Sequence, residues 1–196
     1  MVVRDDVMID LGARGMHGTE AAVTLVHEYV HALQDQVLGL GAHDDDERTI
    51  DGDNAFAALV EGDATLAMIG LLALGAGGDL ERLTTDPDLL ASLISPEAVA
   101  SGGAALAAAP PIVRTPLVSR YLDGMLFCAY LHGAMGGWTA VDAAHAHLPT
   151  TTEEILHPER LGAREPDVIT LPALPGLEAR GFVVHDEDTL GELEIS

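Results

Sequence analysis

Residues 19–39, TEAAVTLVHEYVHALQDQVLG, decide how the rest of the chain is read. Thr19 carries the hydroxyl of a helix N-cap and Gly39 is a residue at which helices end. Between them Val23, Val26, Val30, Leu33 and Val37 recur three and four apart, which predicts an amphipathic helix with one apolar stripe. His27-Glu28-Tyr29-Val30-His31, an HExxH pattern, lies inside that helix. Histidines four residues apart stand about one turn from each other on one face, so both imidazoles reach a single ion. The glutamate between them projects beside it as a base for metal-bound water.

A catalytic zinc site takes a third protein ligand and keeps one position for water. A second helix, expected over about 55–74 with Asp53 or Asn54 as its cap and glycines 75, 77 and 78 at its end, is apolar almost all round and belongs in the core. Glu61, in AALVEGDATLAM, is a carboxylate in the middle of that helix. Burial without a partner would be costly, coordination removes the cost, and Gly62 beside it allows a close helix approach; the alternative is that Glu61 and Asp63 sit on a wet stripe or pair with an arginine. Asp63 is expected to orient a ligand histidine, and Gln34 and Asp35 are placed to accept a hydrogen bond from a ligand imidazole. The alternative is that Gln34 and Asp35 form a solvated helix end.

Further helices are signalled by Pro87 to Ile94, by Ser95-Pro96-Glu97, by Thr115-Pro116 running to about Gly133, and by Trp138 to Ala146. Thr150 with Glu153 has the spacing of a capping box. Residues 1–10 and the tail from Asp167, with VITLPAL and GFVVHDEDTLGELEI, are expected to supply a few strands. The fold class is therefore mainly α with a small β component (α+β). It is one domain over 1–196, with a metal-site core at about 19–165 and an extended tail at 166–196.

The composition fits a single buried core, with 196 residues of which 48% are hydrophobic. All nine basic residues are Arg, against 32 acidic ones, for a net charge of −23. Such a surface repels phosphate, which excludes nucleic acid and anionic membranes as partners. It also resembles proteins that work in concentrated salt, a halophilic balance in which counterions screen the carboxylates. With one cysteine, Cys128, there is no internal disulfide and no multi-cysteine zinc finger; flanked by Leu126, Phe127 and Leu131 it reads as a buried apolar residue. The acidic loop GAHDDDERTIDGD is read as solvated, because aligning Gly52 with the loop glycine of an EF-hand puts Ala58 where the bidentate glutamate belongs. The start, MVVRDDVMID, lacks the pattern of a signal peptide, and the longest apolar run, 64–78, is shorter than a bilayer span. The chain as it stands is thus expected in the cytoplasm, or outside the cell if a longer precursor exists.

HEYVHALQDQ followed by EGDAT resembles the gluzincins, HExxH metallopeptidases whose third ligand is a glutamate on a later helix, among them the thermolysin-like enzymes. The order HEYVHALQDQ, EGDAT, GGW and TTEEILHPER is similar to bacterial and archaeal peptidase-like proteins of that clan, over about residues 19–165. The resemblance implies His27, His31 and Glu61 as ligands of one Zn²⁺ and Glu28 as general base. It implies a peptide or protein substrate, hydrolysed by zinc-activated water whose proton passes through Glu28 to the leaving amine. An oxyanion donor is expected among Tyr121, Tyr130, His132 and His157, with His157, held before Pro158, preferred as the second catalytic residue. His145 and His147 are expected at the surface and Trp138 as a packing anchor. Three alternatives stand beside this expectation: a non-catalytic zinc protein, a metal-dependent hydrolase of a non-peptide substrate, and a helical interaction module in which HExxH arises by chance. The sequence leaves the oligomeric state open.

Overall fold

The HExxH segment forms helix α1, Glu20–Leu33, which widens into a π-helical turn over Gln34–Leu38 and stops at Gly39. Gly39 has φ 72°, a left-handed conformation that glycine adopts without strain, and its N–H returns to the Gln34 carbonyl. This computed structural model describes residues 20–43, 48–93, 104–163, 169–170 and 172–195. The expected strand at 1–10, the cap at Thr19 and the helix start at Ser95-Pro96-Glu97 lie outside the described residues.

Helix α2, Ile50–Gly75, is the central element, buried from Asp51 to Leu71 on nearly every side. It is the one described helix long and apolar enough to cross a bilayer, yet 67% of its most apolar window is buried inside the protein. It begins a turn earlier than the sequence suggests. Thr49, not Asp53 or Asn54, is the cap, its Oγ1 accepting from Gly52 N at 3.1 Å. Two more N-terminal N–H groups are taken up by the tail: Ile50 N donates to Asp188 Oδ1 at 2.8 Å and Asp51 N to the Thr189 carbonyl at 3.3 Å. The local propensity for a cap at 53 is overridden by acceptors from more than 130 residues away in the chain.

Short helices α3 (Leu80–Thr84), α4 (Pro87–Leu93) and α5 (Ala104–Ala108) lead to the long α6, Pro111–Met135. That helix starts at Pro111 and not at Pro116, because proline needs no N–H partner at the first position. Pro116 then lies inside α6, where it deprives the Ile112 carbonyl of a donor near an exposed side chain that water reaches. Helix α7, Trp138–Ala146, and α8, Thr152–Leu156, close the core, and Trp138 is buried as expected. Thr150 pairs with Glu154, at 2.8 Å from its N–H, in place of the expected Glu153.

The mainly α class is what the structure has; among the described residues there is no strand. The tail carries α9 (Pro175–Glu178) and α10 (Glu192–Ile195) with irregular chain between them. Phe182, Val183 and Val184, which read as strand, are exposed. A strand needs a partner to receive its N–H and C=O groups, and this tail finds its partners at the N-terminus of α2 instead.

The crossing of α2 and α6 rests on absent side chains. A Cβ on Gly62 would lie 2.1 Å from the Gly124 backbone, and one on Gly124 would lie 2.1 Å from the Ala58 carbonyl oxygen. The close approach expected of Gly62 is therefore made with α6. Gly124→Ala is expected to destabilise the protein by about 3 kcal/mol, the upper end of overpacking costs, despite the better helix propensity of alanine. Gly176, whose Cβ position is open space, is the control. Thermal unfolding of Gly124→Ala and Gly176→Ala checks this, and equal melting temperatures would contradict it.

Candidate metal centre

The i, i+4 spacing on α1 turns His27 and His31 toward α2, and Glu61 on α2 faces them. His27 Nε2 lies 3.1 Å from Glu61 Oε2, His31 Nε2 lies 3.4 Å from the same oxygen, and the two Nε2 atoms are 3.0 Å apart. Among the described residues these three form a group that could hold a metal ion, with all donor atoms within 4.8 Å of one another. Donors about 2.0–2.2 Å from one tetrahedral ion stand about 3.3–3.6 Å apart. The observed spacings reach that range or fall a few tenths of an ångström below it, as expected where hydrogen bonds draw the same atoms together. Two imidazoles and a carboxylate thus fit one divalent ion without rearrangement of the helices.

The cluster is reachable from solvent, with the side chains of His27, His31 and Glu61 exposed by 14, 24 and 25%. Burial pushes the Glu61 carboxyl up, but hydrogen bonds from His27 and His31, and their charge, outweigh it and hold the group at about 2. The hydrogen bond to Glu61 raises His31 above its ordinary value of 6.5, against the opposing effect of burial. Glu28 is exposed beside the cluster, close enough for its charge to act on both His31 and Tyr121.

Of the four expected oxyanion donors, Tyr121 on α6 is the one that stands here. Its ring stacks on His27 with centroids 6.1 Å apart. Burial raises its phenol, and the negative charge of Glu61 adds to the rise. His157 directs Nε2 to Glu192 Oε1 on α10, 3.0 Å away. Tyr130 lines a cavity of about 590 Å³ with Asp123, Leu126 and Leu156, and His132 packs edge-on against Trp138 at 4.9 Å. His157, preferred from the sequence, is thus paired with Glu192, and Tyr121 is in ring contact with His27.

Behind the ligands, Gln34 Oε1 lies 2.9 Å from His31 Nδ1. Asp35 takes the N–H of Gly41 at 3.3 Å and leaves the imidazoles to Gln34. Asp63 is fully buried and reaches the ligands through Gln34, at 2.9 Å from Gln34 Nε2. His145, expected at the surface, is instead 6% exposed and places Nε2 3.1 Å from Asp63 Oδ2. The signal for it was present: Trp138, Val141 and His145 are spaced three and four apart, the stripe that α7 buries. His147, two residues on, is exposed. Cys128 is buried, as expected.

Comparison of the chain with protein-family models, with curated proteins and with solved structures finds no match.

Two opposed pH slopes follow for the metal-free protein. Glu61, lowered from 4.5 to about 2, contributes stability that is full above pH 4.5 and is lost as pH falls through about 2. His31, raised above 6.5, contributes stability that is full below pH 6.5 and is lost as pH rises through its folded value. The difference in unfolding free energy between native and Glu61→Gln protein is expected to be widest between pH 4.5 and 6.5 and to narrow on either side. Chemical denaturation across pH measures it, and a difference that does not vary with pH would contradict the pairing.

Proposed function

We propose that the protein is a zinc-dependent metallopeptidase of the gluzincin type, with His27, His31 and Glu61 holding one Zn²⁺ and Glu28 as general base. The observation that carries this is the convergence of the HExxH histidines on a glutamate from a second helix, with the intervening Glu28 left exposed at the mouth. Two imidazole nitrogens and one carboxylate, with a solvent-facing side, match a catalytic zinc site in donor type and count. Zinc, when bound, supplies a Lewis acid that polarises a carbonyl and acidifies water.

The chain's own groups supply the remaining chemistry. Glu28 is exposed beside the cluster, placed to take a proton from water at the open side and to return it to a leaving amine. Tyr121 keeps its proton because burial and Glu61 both oppose ionisation, so its hydroxyl is a donor for negative charge developing on a carbonyl oxygen. The acidic surface disfavours anionic substrates, and a peptide of neutral or basic character meets no such repulsion.

Glu28→Gln retains shape and removes the base. Zinc content is expected to stay unchanged while turnover of a fluorogenic peptide library falls by about 10²–10⁴-fold. Equal zinc content with equal turnover would remove Glu28 from the chemistry. A native protein that binds zinc and cleaves none of the library would favour the non-catalytic alternative.

A further inference from the structure

Behind the ligands runs a line of buried polar groups whose hydrogen bonds have only one consistent direction. Gln34 Nε2 lies 3.0 Å from the Val60 carbonyl oxygen and 2.9 Å from Asp63 Oδ2. A carbonyl and a carboxylate accept and do not donate, so the NH₂ end of the amide has to face them. Its oxygen is thereby turned to His31 Nδ1, 2.9 Å away. An amide oxygen accepts, so the ring nitrogen opposite it carries the proton. A neutral His31 then has its lone pair on Nε2, the atom that faces His27 and Glu61, and the hydrogen bond from Nε2 to Glu61 belongs to the protonated ring. With the amide reversed, NH₂ would face Nδ1, the ring proton would move to Nε2, and the nitrogen aimed at the centre would be blocked.

Asp63 is what prevents that reversal, and it is itself held from a third helix by His145, whose side chain is 3% exposed against 0% for Asp63. Gln34, Asp63 and His145 come from the π turn after α1, from α2 and from α7, so three segments meet at the Asp63 carboxylate. We propose that Gln34 is the positioning residue of the metal centre: it selects the Nδ1–H tautomer of His31, and Asp63 and His145 fix the orientation in which it can do so. This rests on the metal-binding proposal above. It adds a determinant of metal affinity that touches neither ion nor substrate.

The tautomer is measured on the metal-free full-length chain by long-range ¹H–¹⁵N NMR, at a pH where the ring is neutral. Zinc affinity is measured separately by competition with a chromophoric chelator. Native protein is expected to show the Nδ1–H form. Gln34→Met, which fills similar volume without a strong acceptor, is expected to shift His31 toward the Nε2–H form that imidazole favours in water and to weaken zinc binding by about 10–100-fold. Gln34→Glu combined with Asp63→Asn presents an oxygen to His31 again and lets residue 63 donate to residue 34, at the cost of the hydrogen bond to the Val60 carbonyl. That double variant is expected to recover the Nδ1–H form and part of the affinity, which a merely space-filling role would not produce. An Nε2–H form in the native chain overturns the proposal, whether or not any variant folds. So does a folded Gln34→Met protein with unchanged tautomer and affinity. A native chain with the Nδ1–H form and no zinc binding overturns the metal-binding proposal itself, and the two failures are told apart because the tautomer is read without metal.

Discussion

Glu61 stands on a helix that is apolar and buried almost all round, and an ionised carboxylate in such a place has to be compensated. The compensation comes from the two imidazoles of α1, whose hydrogen bonds hold the carboxyl at about 2. Much of the rest follows from placing those two helices against each other. A ligand set delivered by two separate helices is only as good as the constancy of their spacing, since about 0.5 Å of drift spoils coordination. Gln34 ties that spacing directly, because it bonds His31 on one side and the Val60 carbonyl and Asp63 on the other.

The third side of α2 is set by backbone contact. Gly62, adjacent to Glu61, lies against Gly124 so closely that neither position admits a methyl group. The same crossing carries Tyr121, less than a turn before Gly124 on α6, to the ring of His27. Helix packing and the placement of a phenol beside the His27 ring are thus consequences of one tight contact. At the far end of α2, the tail contributes Asp188 and Thr189 as acceptors for its first N–H groups, and Glu194 bonds Asn54, which in turn accepts from Arg120 on α6 at 3.0 Å. The C-terminal segment therefore fastens α2 to α6.

The α1 helix, its end at Gly39 and the pairing of His27 and His31 were legible because they depend on spacing within one turn of chain. Glu61 was legible for a related reason, as a charge in an apolar run has few uses. What depends on distant partners was not. The start of α2 was displaced by acceptors in the tail. The strands expected in GFVVHDEDTLGELEI did not form among the described residues because no edge is there to pair with them. His145 was hidden by its neighbour His147: two histidines two apart look like a polar surface until the stripe of Trp138 and Val141 shows which one turns inward. The sequence ranked His157 above Tyr121 on its fixed backbone before Pro158, but which side chain lies by the histidines is a property of how α6 and the tail pack.

The central claim is that His27, His31 and Glu61 bind one metal ion. Anomalous scattering from a crystal of the zinc-loaded protein, recorded on both sides of the zinc edge, tests it most directly. The expected result is one strong peak with His27 Nε2, His31 Nε2 and a Glu61 oxygen about 2.0–2.2 Å away. A peak elsewhere, or a Glu61 side chain turned away from both imidazoles, would contradict it.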